Sequence, residues 1–102
     1  MNDDPLILSF LGYSYANSGE RDEALKTLGQ LKEIAKQRYV PAHRFAVVYA
    51  ALGEKDQAFQ WLEQGYQNRD RAIITLKVDP MFDNLRSDQR FADLVRRIGL
   101  PQ

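Results

Sequence analysis

The sequence predicts an all-α chain of antiparallel helix hairpins, two repeated units followed by C-terminal capping helices. Three observations lead there. The chain matches itself at an offset of 34 residues, its apolar residues recur at the three-to-four spacing of a helix, and Pro and Gly stand where such helices would start and stop. At that offset PLILSFLGYSYANSGERDEALKTLGQL falls on YVPAHRFAVVYAALGEKDQAFQWLEQG without a gap, with 8 of 27 positions identical. Random pairing would give roughly two. The identities are Tyr15/Tyr49, Ala16/Ala50, Gly19/Gly53, Glu20/Glu54, Asp22/Asp56, Ala24/Ala58, Leu28/Leu62 and Gln30/Gln64.

In the first unit, residues 5–38, Asp4 is the expected N-cap and Pro5 the first helical residue, where a missing N–H costs nothing. Ile7, Leu8, Leu11 and Tyr15 form the expected core stripe. Gly19 ends this helix, because glycine takes the left-handed conformation just past a helix end without a Cβ penalty. A second helix is expected from about Asp22 to Gln37, with Ala24, Leu28, Leu31 and Ala35 on one side. The second unit, 39–72, repeats the plan. Pro41 opens its first helix, Gly53 closes it, and Asp56 to about Asn68 carries Ala58, Phe59, Trp61, Leu62 and Tyr66 as core. Small residues have a steric reason: Gly12, Ala46, Ala24 and Ala58 let paired helices approach, with Tyr15 and Tyr49 filling the space beside them.

The last part, 73–102, breaks the period. Arg71 to Lys77 could begin another first helix, but Ile73, Ile74 and Thr75 weaken it and Pro80 stops it. One short helical turn, a break and a last helix should follow. Ser87 is the expected N-cap of that helix; Phe91, Leu94, Val95 and Ile98 are its apolar stripe, Gly99 its stop and Pro101 its terminator.

The pattern Leu11-Gly12, Tyr15, Gly19, Ala24, Leu28, echoed at Phe45-Ala46, Tyr49, Gly53, Ala58, Leu62, resembles the tetratricopeptide-repeat (TPR) consensus, as does the period. The resemblance spans about two-thirds of the chain. It departs from the consensus where Leu8 and Ala42 replace a Trp and where Lys36 and Asp70 replace a Pro. The ending is similar to the ends of TPR arrays in larger bacterial signalling proteins. The resemblance implies a solenoid that binds a peptide or helix, as the scaffolding or sensing part of such a regulator.

In that family the first helices line a concave groove. Carried over by position, the groove would present Leu6, Ser9, Tyr13 and Asn17, then Val40, His43 and Val47, then Lys77, with Arg38 and Arg71 at its rim. Such a groove suits a segment with apolar anchors and some acid. The subclass that clamps a chaperone C-terminal carboxylate needs Lys and Asn where this chain has Ser9, Tyr13 and Arg44, so that ligand is not expected. A second stripe, Leu6, Phe10 and Tyr13, runs along another side of the first helix, whereas the second unit has Val40, Arg44 and Val47 there. A helix apolar on most of its circumference expects a neighbour. Candidates are an upstream repeat, a second copy of the chain or the tail folding back. Structural self-association is therefore the alternative role.

Other classes are disfavoured. The chain has 102 residues, enough for one domain, with 44% hydrophobic and 27% charged residues and fourteen Lys and Arg against fourteen Asp and Glu. Zero net charge argues against nucleic acid and against an anionic membrane surface. The apolar run from Leu6 to Leu11 is too short to span a bilayer, and the acidic opening MNDDPLILSF is unlike a signal peptide. A cytoplasmic setting is expected. No cysteine is present, and His43 is the sole histidine, so no metal site or cofactor is expected. Ser9, Ser14, Ser18 and Ser87 lack a base at a recognisable spacing, and no phosphate-binding glycine motif occurs. Asp3, Asp4, Asp79 and Asp83 read as capping acids, and Arg86, Arg90, Arg96 and Arg97, interleaved with Asp88 and Asp93, read as a solvated face. No enzymatic activity is expected.

Overall fold

Asp4 caps the first helix as its position suggests, its carboxylate accepting the Leu6 backbone N–H at 3.0 Å with Pro5 as the first helical residue. The computed structural model describes residues 4–99, and among them every regular element is helical. The α-helices are α1 (Pro5–Asn17), α2 (Arg21–Ala35), α3 (Ala42–Leu52), α4 (Lys55–Asn68) and α5 (Gln89–Gly99). Two 3-10 segments, Arg71–Val78 and Pro80–Leu85, lie between α4 and α5. The molecule measures 42 × 30 × 19 Å along its principal axes.

The α1–α2 and α3–α4 turns are built alike. Gly19 and Gly53 sit in the left-handed region at φ 81° and 80°. Behind each glycine the chain closes in the same way, with Glu20 N–H donating to Tyr15 C=O at 2.8 Å and Glu54 N–H to Tyr49 C=O at 3.0 Å. A third turn of this kind ends α4, where Asp70 N–H donates to Gly65 C=O at 2.9 Å, but the left-handed residue there is Arg69, at φ 59°. Nothing lies within 4 Å of a Cβ added at Gly19 or Gly53, so substitution costs conformational energy alone. Gly19→Val and Gly53→Val should each lower stability by about 1–2 kcal/mol in a denaturant titration. Unchanged midpoints in both would contradict these turns.

Gly12 lies where α1 crosses α2 and α3. A Cβ there would collide with Thr27 Oγ1 and come within 2.8 Å of Val48 Cγ2. Ala24, Ala46 and Ala58 are fully buried at the other crossings. A single core cluster runs from Leu8, Leu28 and Leu31 through Phe45, Val48 and Leu62 to Phe82, Leu85, Phe91 and Leu94, so the tail continues the core of the two hairpins. Phe45 stacks on Trp61 with ring centroids 4.0 Å apart.

The third part stays closer to the period than the sequence suggests. Arg21, Lys55 and Gln89 open α2, α4 and α5 at a constant interval of 34 residues. Cross-unit pairs hold the last helix in place, with Arg90 to Asp56 at 2.8 Å and Arg97 to Glu63. Ahead of α5, β-branched Ile73, Ile74 and Thr75 disfavour the α-helix, and the Thr75 hydroxyl donates to Ala72 C=O at 3.1 Å, leaving the tighter 3-10 form.

Several boundaries differ from expectation. Pro41 precedes α3 instead of opening it, and the cap comes from 28 residues away, as Asp70 Oδ2 accepts the Ala42 N–H at 3.0 Å. The other Asp70 oxygen takes the Tyr39 hydroxyl, so one carboxylate ties the start of α3 to the end of α4. At α5, Asp88 rather than Ser87 provides the cap, accepting the Arg90 N–H at 2.9 Å, and Gly99 is still helical. Pro101 lies outside the described residues. Ile7 and Leu11 are not core. They are exposed, and α1 buries Leu8, Ser9 and Gly12 instead, the side against which α2 and α3 pack.

Candidate functional site

The residues expected to line one concave groove do not share an open surface. Ser9, His43 and Val47 are buried, as is Val40, and Val47 is 0% exposed. Tyr13 is half-buried against the core, while Asn17, Arg38, Arg71 and Lys77 are exposed. Ser9 faces the side of α1 on which α2 and α3 pack, while on α3 the second 3-10 segment packs where another first helix would stand. Phe82 enters edge-on to the His43 ring at 5.6 Å, and the Asn84 side-chain amide donates to Ala50 C=O at 3.2 Å. Arg86 locks the segment down, donating to Lys77 C=O at 2.6 Å, to Asp79 C=O at 2.9 Å and to the Asp83 carboxylate at 2.7 Å. Its guanidinium also covers the Phe91 ring.

His43 belongs to this packed junction. Its Nε2 lies 3.4 Å from Asp79 Oδ2, and its buried Nδ1 has no hydrogen-bond partner among the described residues. Burial pushes its pKa below the ordinary 6.5, Arg44 adds to that, and Asp79 and Asp70 oppose it. The neutral ring is therefore the form the fold prefers. A group whose folded pKa is depressed lends stability that is complete above its unfolded pKa and is lost as pH falls. The melting temperature should therefore drop from about pH 7 to about pH 5, and His43→Gln should flatten that slope. Equal slopes in the two proteins would contradict this account of the junction.

The C-terminal arginines are structural rather than merely solvated. Arg90 bridges Asp56 and Asp88 and lies 4.5 Å from the Phe59 ring centroid, and its pairing holds the Asp88 carboxyl down to about 2. Arg97 covers Tyr66. Arg96 pairs with Asp93 on its own helix and does remain on the surface.

What α1 leaves outward is different in kind. Leu6, Ile7, Phe10 and Leu11 are all exposed, Phe10 by 51%. They are half of the exposed large apolar side chains among the described residues. No charged side chain occurs from Pro5 to Asn17, so the whole helix is neutral. Among the described residues, the segment after α4 packs chiefly on α3 and α4. The repeat makes the contrast quantitative. Leu11 is 40% exposed, whereas Phe45, its equivalent in α3, is 1% exposed and stacks on Trp61, where the first unit has Thr27. The Leu6–Phe10 part of this face was legible in the sequence. Ile7 and Leu11 were missed because their spacing matched a core stripe equally well.

Among the described residues no group of three His, Cys, Asp or Glu side chains is placed to hold a metal, and no helix is long and apolar enough to cross a membrane. Compared with protein-family models, with curated proteins and with solved structures, the chain finds no match.

Proposed function

We propose that the chain is a protein-interaction module of TPR type, whose contact surface is the outward face of α1 rather than a deep concave groove. The observation that carries this reading is the contiguous Leu6, Ile7, Phe10 and Leu11 surface on a helix without charge. Exposed apolar patches of this kind cost solubility and persist where a protein covers them. Tyr13 and Asn17 flank the face, and a partner helix would meet its anchors at i, i+1, i+4 and i+5. The TPR assignment rests on the 34-residue repeat and on the two matching glycine turns. A scaffolding or sensing role in a bacterial regulator follows from that resemblance alone, and a non-catalytic, cytoplasmic module from the residue patterns of the sequence.

A photoreactive side chain at Phe10 tests the reading in cells, against the same group at Gln89, an exposed position on α5. Protein adducts should form from position 10 and not from position 89. Indistinguishable adducts from both, or none from Phe10, would refute it.

A further inference from the structure

We propose that the partner covering α1 is a second copy of this chain, docked α1 against α1 about a twofold axis; this rests on the reading of α1 as a contact surface.

Charge is the first argument. In an isologous contact each residue near the axis meets itself or a close neighbour, so any charge in the patch is set against its own kind. The Pro5–Asn17 helix carries none, whereas the equivalent helix of the second unit carries Arg44. Phe10, midway along α1, would lie nearest the axis.

The second argument is that the opposite end of the molecule is closed. α5 turns Phe91 and Leu94 inward and leaves Gln89, Ala92 and Arg96 to solvent. Among the described residues α5 therefore offers no apolar face to match that of α1, and only Ile74 and Val78 of the first 3-10 segment stand exposed nearby. A contact that uses one face per copy is complete at two.

Area sets the strength. The four exposed side chains amount to roughly 350 Å² of apolar surface per copy, about 700 Å² for the pair. With Tyr13, Ser14 and Asn17 as a polar rim, the contact comes to roughly 1,000 Å² in total, the size of a weak, transient interface. The dimer is a reversible one.

Sedimentation equilibrium on the full chain, from low to high micromolar concentration, tests this. The mass should rise with concentration and level off at two copies. Phe10→Arg should stay at one copy with unchanged helical content, since Phe10 is exposed. Should that variant lose its helicity, Ile7→Lys, also at an exposed position, reads the same contact. A wild-type chain that stays monomeric throughout overturns the dimer, as does a folded variant that associates like wild type. Growth beyond two copies also overturns it and would point to a head-to-tail contact through exposed Ile74 and Val78. A monomer in sedimentation that still forms Phe10 adducts to other proteins in cells would sink the dimer alone and leave the interaction module standing.

Discussion

Val47→Glu is expected to remove a large part of the chain's stability. Val47 has no exposed surface, so the new carboxylate would sit in the apolar core. It would be larger than the valine it replaces and would have no opposite charge of its own. Desolvating an unpaired carboxylate and overpacking its site together cost on the order of 5 kcal/mol. A domain of this size has ~5–15 kcal/mol to lose, so a large part of its stability goes. A groove position would behave differently, giving a folded protein with weakened partner binding. Circular dichroism against temperature separates the two. A variant that melts within a few degrees of wild type would place Val47 on an open surface and contradict the packing of the second 3-10 segment over α3.

Gly12→Val has the next largest expected effect. The added side chain meets Thr27 on α2 and Val48 on α3 together, the latter at 2.8 Å from Cβ alone. Neither can withdraw freely, since Thr27 donates its hydroxyl to Ala24 C=O at 2.7 Å and Val48 is fully buried. α1 must lift away from both helices, at a cost of about 3 kcal/mol. The melting temperature should fall by roughly 15 °C for a domain of this size. Gly29 gives the contrast. It lies on the exposed side of α2, a Cβ there meets nothing within 4 Å, and Gly29→Ala should raise stability by ~0.5–1 kcal/mol. If both substitutions were neutral, α1 would not be docked as described.

The parts of this fold that could be read from the sequence are those set by short-range chemistry. Asp4 and Pro5 start a helix through contacts within a few residues, and Gly19 and Gly53 stop one through their own backbone freedom. The 34-residue offset joins those signals into two hairpins. What escaped depends on distant chain. Asp70 caps α3 across 28 residues, and no local pattern near Ala42 announces it. The period of α5 is carried by its start and by the Asp56–Arg90 and Glu63–Arg97 pairs, while its side chains no longer repeat those of α4. The expected groove failed at Ser9 because α2 and α3 pack on that side of α1, and at His43 and Val47 because α3 lies between the first hairpin and the 3-10 segment that fills the place of a third first helix. The α1 face was half legible for a related reason. Its exposure follows from what does not pack on it, and a helix with apolar residues nearly all round does not say which side its own chain will cover.

If α1 is the contact surface we propose, its outward face stands open in a single molecule. The chain contains no cysteine, so a cysteine introduced at one position is the only thiol. The direct measurement is the rate of maleimide labelling of Leu6→Cys, Phe10→Cys and Leu11→Cys, compared with Leu8→Cys and Leu31→Cys, at low and at high protein concentration. At low concentration the first three should react at rates near those of a free thiol, and the two buried positions far more slowly. At high concentration the α1 face alone should become protected. Slow labelling of Phe10→Cys at the lowest concentration would mean that the chain covers this face itself, and would contradict the account.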